Sequence, residues 1–426
     1  MPSAFTKAAT LKDIYYLFDP VRYLSKPDEL EHLYVDRKSG ARKRISLALD
    51  TDVEKEKPVH LLFTGHRGSG KSTEINKLCL DLEGKFFIVK VSFSNRPDVD
   101  YIDVLLKAAM TLFKTATDDT VIKKAPAQIM DEALTDILHF ITNKLYGEAY
   151  ISNSEITASG SVSAKINLYA IEFEAKFEAE PQSRQAFKAN SEKLLAEIID
   201  KINLLSERIR PAYQRPVLFI FEDADKIDLK NAKEIFYQHS NTLVTIRASA
   251  IYVIDISLRY HPDFTATKAS FSEFFCLSNI KLRTKERKKV NENRALLAQI
   301  IDNRAENRLF APEAKDLLIT HSGGLIRSLI SLIQRAASEA YIEDSTIITE
   351  AHVQQAINQQ KGDFIAMLES KDYPLLFARH TDQRLTSDDD IQNLLQSLAL
   401  LEYENGELWC DVHPIILPEV IKRVPQ

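Results

Sequence analysis

The segment Gly65-His66-Arg67-Gly68-Ser69-Gly70-Lys71-Ser72 constrains this chain more than any other stretch of it. It has the spacing G-x-x-x-x-G-K-[ST] and follows a short apolar run, Val59-His60-Leu61-Leu62-Phe63-Thr64, that reads as a buried strand. From about Ser72 the positions Ile75, Leu78, Leu80 and Leu82 read as the apolar side of a helix. A glycine-rich turn between strand and helix lets successive backbone N–H groups curl around a polyphosphate, where a Cβ would intrude. The helix behind it points the positive end of its dipole at the same anion. Glycine is otherwise scarce, 11 among 426 residues against a typical ~7%, so its concentration here is a positional choice.

Each residue of the loop then has an expected task. Gly65, Gly68 and Gly70 open the backbone, His66, Arg67 and Ser69 frame it, and Lys71 should bridge the β- and γ-phosphates. The Ser72 hydroxyl should ligate Mg²⁺, and Thr73 can reach the α-phosphate. The second half of the site is expected where the most apolar run, Val217-Leu218-Phe219-Ile220-Phe221, ends in Glu222-Asp223-Ala224-Asp225-Lys226. A carboxylate there would hold the magnesium's water shell and its neighbour would polarise the attacking water. The sequence leaves open which of Glu222 and Asp223 does which, and whether ATP or GTP is preferred. If Asp223 is the base, its shorter side chain reaches the water less easily than a Glu. Turnover no faster than about 1 s⁻¹ is then expected, as suits a switch.

Around these motifs the pattern is strand–helix–strand–helix, with further strands at 86–91, 217–221, 250–254 and 274–282 and helices at 100–116 and 230–246. That order implies a parallel sheet with crossover helices. It is interrupted at 118–215. There, helical spacing at 129–145 gives way to period-two alternation over 162–168 and again over 171–178, with a phase slip between. The alternation predicts a hairpin or bulged ribbon with an acidic face, and a long amphipathic helix at 194–209 leads back to the sheet. The expected organisation is a lead-in at 1–57, a core at 58–285 carrying the insertion, a helical lid at 286–362 and a small module at 363–426.

A formal charge of -6 and a pI near 6.0 argue against coating nucleic acid by bulk charge. Cys79, Cys276 and Cys410 are too scattered for a disulfide framework or a zinc site. No apolar run approaches the ~18 residues of a membrane span, and the first thirty residues lack a signal-peptide layout. A soluble, cytoplasmic protein with no membrane partner is expected.

With these residues in place, the chain resembles the AAA+ and related STAND-type P-loop ATPases, in particular the prokaryotic origin-initiator-like branch. The resemblance spans about 30–360 and rests on His60 to Thr73, on Val217 to Asp228, and on Ser322-Gly323-Gly324-Leu325-Ile326-Arg327. It implies an α/β fold: a P-loop NTPase parallel sheet with crossover helices, a helical lid and a winged-helix-like tail. It also implies ATP and Mg²⁺ as cofactors and ATP hydrolysis as the reaction. In that family the Gly-Gly-x-x-Arg segment opens a lid helix whose arginine, here Arg327, contacts the γ-phosphate. Asp255 or Ser257 falls where a polar sensor is placed, and Arg259 falls where an arginine can act on a neighbouring subunit. The Glu-Asp order and the insertion depart from the commoner pattern and weaken the expectation of a fast hexameric motor.

The implied role is a nucleotide-dependent switch in bacterial regulation or defence, acting on a protein partner or assembling with copies of itself. The alternative is a DNA-associated initiator or loader. The tail carries five basic and twelve acidic residues over 363–426, the wrong sign for phosphate contacts. The best basic patch is 281–294, with seven Lys or Arg against Glu286 and Glu292.

Overall fold

The computed structural model describes residues 6–93, 98–118, 127–146, 161–179, 191–404 and 406–424. Five strands form one sheet: β1 (His60–Thr64), β2 (Phe87–Ser92), β3 (Val217–Glu222), β4 (Ser249–Ile254) and β5 (Glu273–Cys276), in the spatial order β2-β3-β4-β1-β5. Every pair is parallel, with Thr64 opposite both Ile254 and Cys276, and Ser92 opposite Glu222. The apolar runs of β1, β3 and β4 are buried along nearly their whole length, as strands covered on both faces must be. One face packs on helices Ala41–Lys55 and Lys71–Leu82 through Ile45, Leu49, Ile75 and Leu78. The other packs on Tyr101–Ala116 and Leu195–Tyr213 through Leu105, Leu112, Ile202 and Leu205.

The insertion is helical where it is described. Val162–Ala179 is one helix packed against Tyr101–Ala116 and Ala127–His139, not the predicted ribbon. Its buried residues Ile166, Tyr169, Ala170 and Phe173 recur at helical spacing, whereas Leu168 and Ile171, which the alternation would bury, are 45% and 49% exposed. The physical reason is local: Tyr169-Ala170 supplies no residue suited to a hairpin turn, and the Ala, Glu and Lys of this stretch favour helix. Residues 119–126, 147–160 and 180–190 of the insertion lie outside the described residues. Two smaller differences sit in the sheet. The strand predicted at 274–282 is the shorter Glu273–Cys276, and the helix predicted at 230–246 is broken into Leu229–Lys233, a wider turn over Glu234–Gln238, and Ser240–Leu243.

A second core lies beyond β5. Lid helices Asn291–Asp302, Pro312–His321, Ile326–Ile342 and Glu350–Met367 bury Leu297, Leu318, Leu329, Ile333 and Val353 together. The N-terminal helix Leu11–Leu17 inserts Leu11 and Ile14 into the same core, and so does the tail with Leu395, Leu400 and Val412. Helix Glu350–Met367 runs unbroken across the boundary expected at 362. The tail comprises helices Asp372–Asp382, Asp389–Gln396 and Leu417–Arg423 around an antiparallel hairpin, β6 (Leu400–Glu404) and β7 (Leu408–Val412). The hairpin expected at 401–409 is therefore present, with Asn405 of its turn outside the described residues. No helix among the described residues is long and apolar enough to cross a membrane.

Candidate functional site

Thr64 ends β1 and pins it to β4 by donating its hydroxyl to the Ile254 carbonyl at 3.0 Å. The chain then turns through residues 65–70 at the carboxyl edge of the sheet, where open α/β sheets place their ligands. Helix Lys71–Leu82 starts on Gly70 with no side-chain cap, so the N–H groups of its first turn are unspent on cap side chains and available to an anion. The Lys71 ammonium, almost wholly buried, donates to the Gly65 carbonyl at 2.6 Å and the His66 carbonyl at 3.1 Å, and pairs with Asp225 Oδ2 at 2.8 Å.

The lid meets the loop directly. The Arg327 N–H, at the start of Ile326–Ile342, donates to the Gly68 carbonyl at 3.0 Å. Gly68 has φ +82°, and a Cβ on it would stand 2.5 Å from the Arg327 Cβ. Gly324, also at φ +82°, lies so close to the Ile280 carbonyl that a Cβ would come within 1.8 Å of it. The glycine pair read as a helix opening is therefore the place where the lid is pressed against the core.

These parts enclose a cavity of about 530 Å³, within the usual range for ligand sites. Arg67, Gly68, Gly70, Lys71, Ser72, Thr73, Asp223, Asp225 and Arg327 form its polar wall. Its apolar lining comes from Leu17, Val21, Leu24, Leu33, Val35, Ile326 and Ile330, interspersed with Asp19, Arg22, Tyr23 and Arg37 of the lead-in. The lead-in at 1–57 thus helps to close the cavity. Arg37 is the strut that ties it there: it is half-buried, donates to the Ser69 carbonyl at 2.6 Å and also bonds the Ser278 carbonyl. In sequence it is the first residue of a basic run, Arg37-Lys38-Ser39-Gly40-Ala41-Arg42-Lys43-Arg44.

The acids at the end of β3 divide by environment. Asp223 sits at φ +64°, accepts from the Ser92 hydroxyl at 2.8 Å and pairs with Lys226 at 2.6 Å. Glu222 is absent from the cavity wall; burial raises its carboxyl above the usual range, and its nearest cation, Lys90, is 3.9 Å away. Its Oε1 is buried without a hydrogen-bond partner. The third acid, Asp225, is the one in contact with the loop, through its carboxylate to Lys71 and its carbonyl to Arg67 Nη2 at 2.7 Å. It stood in the sequence one residue beyond the pair singled out. Ser72 and Asp223 line the same cavity, a donor set of the kind that suits magnesium. Among the described residues no group of three or more His, Cys, Asp or Glu could cage a metal, and Mg²⁺ commonly takes one or two protein oxygens plus phosphate and water.

A phosphate-type loop leaving β1 for a helix, carboxylates at the end of β3, and a sheet in which β4 separates β1 from β3 decide the architecture. This is a P-loop NTPase fold. No family model matches the chain, and no curated protein matches it. Solved structures similar to it include the Orc2 protein of Aeropyrum pernix in ADPNP and ADP complexes, at 9% identity, 96% of each chain and a TM-score of 0.46. A Walker-type ATPase of Pyrococcus abyssi is similar at 12% identity, 95% of this chain, 99% of that one and a TM-score of 0.46. The Thermotoga maritima RuvB Holliday junction branch migration motor is similar at 12% identity, 96% and 100% coverage and a TM-score of 0.39.

Within this P-loop NTPase fold the tail hairpin closes over the loop. His66 is buried, and its Nε2 accepts the Glu402 N–H at 2.7 Å. Burial, and next the Lys71 ammonium, hold the His66 imidazole down at about 3, so it is neutral and can accept. The buried Glu402 carboxylate takes Arg259 at 3.1 Å and also binds the Tyr260 hydroxyl. Tyr403 donates its hydroxyl to the Gly323 carbonyl at 2.7 Å. Arg259 is thus engaged within its own chain. Asp255 accepts from the Ser257 N–H at 2.9 Å and stands 3.5 Å from Arg67, so that position does face the loop. In the basic stretch, Arg283 pairs with Asp411, Lys285 with Glu407 and Arg294 with Asp316.

Proposed function

We propose that the protein is an ATP-binding, slowly hydrolysing switch. The loop 65–73 and the helix start behind it take the phosphates, and the apolar lining from the lead-in and lid takes the base. Ser72 with a β3 carboxylate holds Mg²⁺, which when bound supplies charge neutralisation at the β- and γ-oxygens. Lys71 adds a point charge, Arg327 brings a lid cation to the terminal phosphate, and Asp223 is the acid placed to orient water. Arg67 is fixed by Asp225 and Asp255 rather than free to reach ligand. The observation that carries the reading is the convergence of Lys71, Ser72, Asp223, Asp225 and Arg327 on one cavity that is also lined by apolar residues of the lead-in and lid.

The switch is read out by the tail, which contacts both the loop and the lid and carries a net negative surface suited to a protein partner, a second copy of the chain being one option. The DNA-associated reading is less favoured, because the arginines and the lysine named above in 281–294 are spent on internal carboxylates. A single-turnover assay with labelled ATP and Mg²⁺ tests the proposal. Turnover should stay at or below about 1 s⁻¹ and fall at least tenfold in Asp223→Asn. Rapid hydrolysis unaffected by that change would refute the assignment.

A further inference from the structure

An ammonium has three N–H donors, and all three of Lys71 are committed within the protein: to the carbonyls of Gly65 and His66 and to Asp225 Oδ2. The carboxylate is the charged member of this set and therefore holds the cation most strongly. It is no incidental surface pair, since the Lys71 and Asp225 side chains are 4% and 10% exposed. Asp225 is itself held in place. Its carbonyl receives Arg67 Nε at 3.1 Å and Nη2 at 2.7 Å, so two side chains of the phosphate loop grip one residue at opposite ends. The short helical turn Ala224–Lys226 that carries it follows directly on β3 and cannot drift from the loop without breaking both contacts.

We propose that Asp225 is a positioning residue that competes with the terminal phosphate for Lys71 and thereby sets the affinity threshold of the switch. This rests on the reading of the loop as a nucleoside-triphosphate site and specifies how that site is regulated. A ligand must offer enough negative charge near Lys71 to replace the carboxylate. A triphosphate with Mg²⁺ does so, and a monophosphate does not. The cost of displacement is borne by the fold, so removing the carboxylate makes the site grip more tightly.

The test is calorimetric titration of the full chain with a non-hydrolysable ATP analogue and Mg²⁺, and with AMP, for wild type, Asp225→Asn, Asp225→Glu and Lys71→Ala. Asn keeps the size of Asp225 and removes the charge; Glu keeps the charge. Asp225→Asn should bind the analogue about tenfold more tightly, and Asp225→Glu should stay within about threefold of wild type. Melting curves establish that each variant is folded; if Asp225→Asn is not, Asp225→Ser serves with the same expected gain. Unchanged or weaker binding by the folded neutral variant, or an equal gain in Asp225→Glu, would overturn the proposal. Lys71→Ala separates the two claims. If it leaves binding unchanged, the nucleotide reading fails; if it abolishes binding while the neutral variant gains nothing, only the competition fails.

Discussion

His66 Nε2 accepts the backbone N–H of Glu402 at 2.7 Å, across 336 positions of sequence. One partner is the second residue of the phosphate loop and the other lies in the middle of β6 in the tail hairpin. In the proposed switch, a change of loop shape would reach the tail through this hydrogen bond with no intermediary.

Replacing His66 by Ala removes the acceptor and leaves a buried N–H unsatisfied, which costs about 1–3 kcal/mol. We expect a lowered melting temperature together with faster amide exchange over Leu400–Glu404. Nucleotide should no longer change that exchange, as hydrogen–deuterium exchange with and without ATP will show.

Gly68→Ala places a methyl 2.5 Å from the Arg327 Cβ at a left-handed φ. Loop and lid helix cannot both keep their positions, so ATP affinity should fall at least tenfold by calorimetry. Gly84, which has nothing within 4 Å of an added Cβ, is the control: Gly84→Ala should leave affinity unchanged.

Arg259 offers a sharper choice. As the partner of the fully buried Glu402 carboxylate, its loss strands a charge, and breaking such a pair costs about 3–5 kcal/mol. Arg259→Ala should lower the unfolding free energy of the isolated chain, measured by denaturant titration, by that amount. A variant of normal stability that loses hydrolysis only in assemblies would return Arg259 to the neighbouring-subunit role.

Much of this fold and site is legible in the sequence. Apolar runs ending at glycine or at acids gave β1 and β3, because a parallel strand buried on both faces leaves no polar alternation to confuse. The loop was legible because its backbone demands glycine where the rest of the chain avoids it. What failed did so for stated reasons. The 162–178 alternation looked strand-like because Ile166, Phe173 and their neighbours satisfy two periods at once, and only turn chemistry and helix propensity distinguish them. Arg37, Asp225 and the lead-in residues Leu17, Val21 and Leu24 act through contacts far apart in sequence, so no local spacing marks them.

His60 tests the electrostatics. Its Nε2 donates to the Ile246 carbonyl at 3.0 Å, and burial pulls its pKa down to about 4. The unfolded chain, with an ordinary histidine near 6.5, binds the proton first as pH falls, so this group withdraws stability between pH 6.5 and 4. The loss is about 2 kcal/mol at pH 5. In urea titrations the drop in stability from pH 7.5 to 5 should be smaller by that amount in His60→Gln, whose amide can replace the Nε2 donor.

The most direct measurement of the central claim is the heat of Mg²⁺–ATP binding to the intact chain and to Lys71→Ala. Saturable one-to-one binding by the first, lost or weakened at least a hundredfold in the second, is the predicted result. Equal heats from both proteins, or none from either, would contradict it.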